Sequence, residues 1–339
     1  MDVYFATNRR PRPVAEPRSY GSDFHPDGIS ALRFGRAHVS RRGMRVITAP
    51  EKLVPDRFGR LLDPNKTRLG SNSVFHDLRR AMIDDCRDTL VFVHGYNVSF
   101  REGLKAAAEL GQKLAGVAEG RGVNVFLFSW PSDGSMAPFL AYANDRRDAA
   151  ASGAALARGM LKVFDYLTGL NPQEMCNQRL HLMCHSMGGY VLRHAVQEFI
   201  RQSSERPVRI FDQVLLMAPD EDDDAFEHDY KLRLLPRIAR RVNVYFNRND
   251  RAMAVSDITK ANPERLGDDG PRQPFQIPAK VTQIDCTAVV SGVIEHSYYK
   301  DCPRVVEDLT AVLSGVEPEA VGGRRFIEDR NRYRLEPAQ

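Results

Sequence analysis

No run of about 18 apolar residues occurs in this chain, so no membrane-spanning helix is expected. Cysteine is sparse. Cys86, Cys176, Cys184, Cys286 and Cys302 are odd in number, with no C-x-x-C spacing. That speaks against a disulfide framework or a zinc site and for free thiols in a reducing compartment. Histidines, cysteines and carboxylates do not cluster at ligand spacing, so neither a metal nor another cofactor is expected. A dominant charge is also missing. Lys and Arg total 48 against 44 Asp and Glu, which gives no general argument for nucleic-acid or membrane binding. The amino terminus has an early acid, Asp2, and no long apolar stretch. This argues against a signal peptide, and a cytoplasmic location is the expectation. No internal repeat or low-complexity linker divides the chain.

What is present centres on Arg179-Leu180-His181-Leu182-Met183-Cys184-His185-Ser186-Met187-Gly188-Gly189-Tyr190. A short strand-like run ends at a serine, two glycines follow, and Leu192, Ala195, Val196 and Phe199 then fall at helical spacing. Strand, sharp turn at Ser186 and helix make the layout of a nucleophile elbow, G-x-S-x-G. Gly188 fills the second small position. Cys184 stands where the first glycine is usual.

The rest of the chain alternates strands and helices. Expected strands are Val3–Thr7, Leu90–Val93, Val123–Phe128, Phe211–Ala218, Val242–Phe246 and Val281–Cys286, with a hairpin over Phe34–Ala49 turning at Arg41-Arg42-Gly43. Helices are expected over Asn72–Asp84, after a Ser99/Glu102 capping box, over Asn144–Thr168 and over Asp301–Leu313. Asn8 to Ile29 reads as a long loop, and Arg9, Arg10 and Arg12 as a solvated basic cluster. Glu221 to Asp224 reads as a solvated acidic loop. This pattern implies a mostly parallel sheet with helices on both faces and its ligand at the carboxyl strand ends. The expected organisation is an N-terminal β extension (1–85) packed on a core (86–315), followed by a mixed-charge tail (316–339).

A serine needs a base and a carboxylate that orients it. His296 lies after the last core strand, and Asp250 lies just beyond the preceding one. The order Ser186, Asp250, His296 is that of the α/β-hydrolase fold. Asp220 is the competing acid, and His185 is expected to be packed structurally. The backbone N–H groups of Met187, after the serine, and Tyr96, in His94-Gly95-Tyr96-Asn97, are the expected oxyanion donors. Trp130, Phe139 and Tyr142 are candidate pocket walls.

These residues resemble the α/β-hydrolase superfamily. More narrowly, they are similar to a mainly bacterial branch of unknown function. The stretches that carry the likeness are Ala6-Thr7-Asn8-Arg9, Phe92 through Asn97, Phe128 through Ser132, His185-Ser186-Met187-Gly188 and Ala218-Pro219-Asp220. The resemblance implies an eight-strand-type hydrolase sheet and serine-dependent hydrolysis, with Ser186, Asp250 and His296 as the triad. The expected substrate is a small acyl ester. The same machinery serves thioesters and amides, and a non-catalytic binding protein on this scaffold is the reading from another class.

Overall fold

Apolar residues without alternation make strands that bury both faces, and this chain has a row of them. In the computed structural model, the described residues are 1–14, 17–52, 68–132, 138–203, 209–250, 265–290, 296–328 and 331–337. In chain order, the strands are β1 (Asp2–Thr7), β2 (Arg9–Arg12), β3 (Ser19–Phe24), β4 (Arg33–Ser40), β5 (Gly43–Thr48), β6 (Asp88–Val93), β7 (Val123–Ser129), β8 (Leu180–His185), β9 (Phe211–Met217), β10 (Ala239–Phe246), β11 (Val281–Asp285), β12 (Arg324–Glu328) and β13 (Arg332–Leu335). Eleven of them form one sheet in the order β12-β13-β11-β10-β9-β8-β6-β7-β1-β4-β5. From β13 to β1 each neighbouring pair is parallel. The hairpin β4–β5 and strand β12 add antiparallel edges.

Helices cover both faces. Phe100–Lys113 opens with the Ser99/Glu102 capping box, and Pro303–Leu313 lies on the same side of the core. Gly70–Asp84, Pro138–Thr168 and Gly188–Gln202 cover the other side. The last two helices approach closely at Gly153. A Cβ added at Gly153 would sit 2.3 Å from His194 Cβ, so only glycine fits there.

The N-terminal β extension continues the main sheet, since β1 pairs with β7 from Val3/Val125 to Thr7/Ser129 and β4 and β5 follow it to the edge. Two expectations change. The stretch expected as a loop from Asn8 to Ile29 carries the ribbon β2–β3. The mixed-charge tail supplies β12 and β13, and Arg324 is buried there against Asp308, with Nε to Oδ2 at 2.6 Å and Nη2 to Oδ1 at 2.8 Å. Opposite charges spaced along a sequence look solvated. Pairing across the fold is what lets them be buried.

Candidate active site

The carboxyl ends of β6, β8, β9 and β10 meet at one edge of the sheet. β8 runs buried from His181 to His185 into Ser186, whose φ is +52°. A residue with a Cβ is held there at a cost of roughly 1–3 kcal/mol, so the surroundings must fix it. They do so through the backbone. Ser186 N–H donates to Met217 O (2.9 Å), and Ser186 O accepts from Gly189 N–H (2.9 Å) and Asp220 N–H (3.1 Å).

The glycines around the serine have a steric reason. A Cβ at Gly188 would lie 2.6 Å from Val93 O, and one at Gly95 would lie 2.9 Å from Ser186 Cβ. The first lets the elbow helix start against β6. The second brings the His94-Gly95-Tyr96-Asn97 turn up to the serine. Cys184 at the usual glycine position is fully buried in the core, and burial pushes its thiol well up from the ordinary range. A thiol held protonated in this way is a small apolar side chain.

Asp250 ends a tight turn beyond β10. Asn249 N–H donates to Asn247 Oδ1 (3.1 Å), and Asp250 N–H donates to Asn247 O (3.1 Å). The Asp250 side chain is fully buried, and its Oδ2 accepts from His296 Nδ1–H at 2.7 Å. That bond leaves Nε2 as the free ring nitrogen of the neutral imidazole. The His296 side chain remains 21% exposed, so the ring is open at the sheet edge. The following turn is anchored by Tyr298, whose hydroxyl donates to Tyr245 O (3.0 Å) and accepts from Ala218 N–H (3.1 Å).

Asp220, the competing acid, is engaged elsewhere. Tyr142 Oη–H donates to its Oδ2 at 2.6 Å, while Arg146 and Arg265 lie 3.8 and 3.5 Å from Oδ1. The run after it is not a solvated loop. Glu221 and Asp223 are buried, Arg193 reaches Glu221 at 3.4 Å, and Lys231 bonds Asp222 at 3.0 Å and also Asp224. Burial raises the Glu221 carboxyl to about 7 despite Arg193 and Arg146.

Arg9 was expected on a solvated loop and is instead 1% exposed. Its guanidinium donates to Val98 O (2.6 Å), Ser129 Oγ (2.9 Å) and Gly21 O (3.2 Å). It therefore ties the ends of β1 and β7 to the turn after β6. His94 completes that tie. Its Nδ1–H donates to Gly95 O (2.9 Å), its Nε2 accepts from Trp130 N–H (3.3 Å), and its ring stacks on the Trp130 ring, centroids 5.3 Å apart. Burial and Arg9 lower its pKa to about 3. The signal for this role in the sequence is position: Arg9 lies two residues past β1, whose carboxyl end is on the same edge as the serine. Of the candidate pocket walls, Trp130 is fully buried against His94 and Tyr142 is spent on Asp220. The Phe139 side chain lies outside the described residues. Among the described residues there is no cluster of three or more metal-ligating side chains and no helix long and apolar enough to cross a membrane.

The parallel sheet, the strained serine at the end of β8 and the helix behind it define an α/β-hydrolase fold. The family model for α/β hydrolases of unknown function (DUF900) matches residues 71–313, and the chain belongs to that family. The uncharacterized protein alr1448 of Nostoc sp. (strain PCC 7120) is 22% identical over 317 residues, covering 73% of this chain and 79% of its own. Among solved structures, Aspergillus fumigatus lipase B aligns with 70% of this chain at 10% identity and a TM-score of 0.41. This chain spans 56% of that lipase's length. The putative cell surface hydrolase of Lactobacillus plantarum WCFS1 aligns with 69% of this chain and 95% of its own, at 12% identity and a TM-score of 0.33.

Proposed function

We propose that the protein is a serine hydrolase that cleaves carboxylic esters through an acyl-enzyme. The observation that carries this is the 2.7 Å bond from His296 Nδ1 to the buried Asp250, at the edge where Ser186 is held at φ +52°. In this reading Asp250 fixes the tautomer of His296, so that Nε2 takes the Ser186 proton as Oγ attacks the ester carbonyl. The carbonyl oxygen becomes an oxyanion, stabilised by the backbone N–H groups of Tyr96 and Met187. His296 then gives the proton to the departing alkoxide. Water, deprotonated by His296, attacks the acyl-enzyme and releases the carboxylate and free Ser186.

The test is labelling by a fluorophosphonate probe, followed by turnover of a panel of p-nitrophenyl esters of graded acyl length. Ser186 is expected to be the labelled residue. Ser186→Ala should stay folded and lose nearly all turnover, since the hydroxyl supplies chemistry and little packing. Full ester hydrolysis by folded Ser186→Ala protein would exclude this reading.

A further inference from the structure

Among the described residues, side chains do not fill the face of the sheet under the helices Gly70–Asp84 and Pro138–Thr168. A cavity of about 350 Å³ lies between them and the sheet. Leu78 and Met82 line it from the first helix, Met160 and Val163 from the second, and Phe126 and Leu182 from the strands. Gly159 also lines it, and a Cβ there would meet only Leu32 Cδ1 within 4 Å, at 3.9 Å, so a side chain has room at this position. Ser186, Asp250, His296, Tyr96 and Met187 do not line it. Protein interiors normally fill such space, and the apolar side chains that make up most of its wall offer few of the two to four polar partners a water there needs.

The cavity has a polar neighbour. Tyr166 and Leu170 are shared with an adjoining groove lined by Arg68, Lys162, Ser71 and Asn72, together with Asp165 and Glu174. Arg79, Arg179, Arg209 and Asp212 stand on the cavity wall itself. Cations outnumber carboxylates across the two. Arg179 is taken up by Asp88 and Asp212, and Arg79 by the carbonyl of Glu174. Arg68 and Lys162 have no salt bridge among the described residues. An apolar chamber beside cations that make no salt bridge among the described residues is the shape of a site for an amphiphile with an anionic head.

We propose that this cavity binds one long-chain aliphatic carboxylate, with its chain against Leu78, Met160 and Phe126 and its head in the groove of Arg68 and Lys162. The site is separate from the serine, and the proposal does not depend on the esterase reading.

The test is calorimetric titration of the full-length protein with straight-chain carboxylates from octanoate to tetradecanoate, each below its micelle concentration. One molecule should bind per chain. Affinity should rise about fourfold per methylene until the cavity is full. Gly159→Leu places a side chain in the void and suits a helix interior better than glycine. It should weaken binding at least about tenfold while the protein stays folded, and Val163→Phe serves as a second filling variant. Arg68→Gln with Lys162→Gln should weaken the carboxylate but not the alcohol of equal length. Binding should survive fluorophosphonate modification of Ser186. The absence of saturable binding would overturn the proposal. So would binding that both filling variants leave intact, or binding lost on Ser186 modification, which would put the chain at the serine. Failure of the serine to label bears on the esterase reading alone.

Discussion

His185 Nε2–H donates to the backbone carbonyl of His296 at 3.0 Å, and the two rings lie 4.7 Å apart. The residue before the serine thus holds the main chain of the residue that bonds Asp250. His185 is fully enclosed, with Tyr299 on its ring at 4.7 Å, and burial, aided by the nearby His296, keeps it neutral by lowering its pKa well below the usual value. The bond requires the proton on Nε2, and in the neutral ring that fixes the Nε2–H tautomer.

His185→Gln should keep this bond, because the glutamine amide nitrogen reaches about as far as Nε2. His185→Leu removes the donor and leaves the His296 carbonyl unpaired, at about 1–3 kcal/mol. Ester turnover is expected to stay within about threefold for the first and to fall at least about tenfold for the second, with thermal melts run alongside. Equal losses in both, at equal stability, would mean that the hydrogen bond does not position the loop.

Asp250→Asn and Asp220→Asn should fail in different ways. The first forces the wrong tautomer on His296, and kcat should fall by roughly 10³–10⁴ with the fold intact. The second weakens the hold on Arg146 and the fully buried Arg265, and losing one partner of a buried pair costs about 3–5 kcal/mol. Its effect should appear as a lowered melting temperature, with kcat per folded molecule little changed. Kinetics and melts on both variants decide, and a reversed pattern would move the acid role to Asp220.

Arg9→Met should loosen the turn at Gly95. One buried acceptor, Ser129 Oγ, loses its donor at about 1–3 kcal/mol, and the part-buried carbonyls of Val98 and Gly21 lose theirs at a smaller cost. Arg9→Lys is not expected to rescue, since one ammonium cannot reach Val98 O, Ser129 Oγ and Gly21 O in a fork. Urea unfolding should show the loss, and ester kcat should fall with it. Wild-type stability in Arg9→Met would refute the clamp.

Stability should decline on acidification from about pH 6.5. Burial lowers His94 to about 3, His194 to about 4 and His185 well below its ordinary value. The unfolded chain therefore binds protons below pH 6.5 that the folded chain refuses, which removes stability as pH falls. Glu221 acts oppositely. Its folded pKa is raised to about 7, so its contribution is present below 4.5 and is lost as pH rises through 7. For these four groups the net uptake on unfolding grows from below one proton at pH 6.5 to about two near pH 5.5, or roughly 3 kcal/mol per pH unit there. Urea midpoints at pH 7.0, 6.0 and 5.5 check this, and a midpoint that rises toward pH 5.5 would contradict it.

Features set by neighbours in sequence were legible without the fold. The elbow needs a buried strand, a serine and Gly188 within four residues, and its geometry follows from backbone sterics, so the sequence carries it whole. The Ser99/Glu102 cap and the hairpin turn at Arg41-Arg42 are local for the same reason. The alternation of strands and helices implied the parallel sheet, because parallel strands need crossovers. Distance in sequence marks where that legibility stopped. His296 and Asp250 are 46 residues apart, and both follow strands, as Asp220 does. Only the packing of Tyr142, Arg146 and Arg265 around Asp220 separates the two acids. Arg9 and the Glu221 run look solvated by composition, since charge is buried only when its partners arrive. Those partners come from Ser129, Val98, Arg193 and Lys231, which tertiary structure alone brings together.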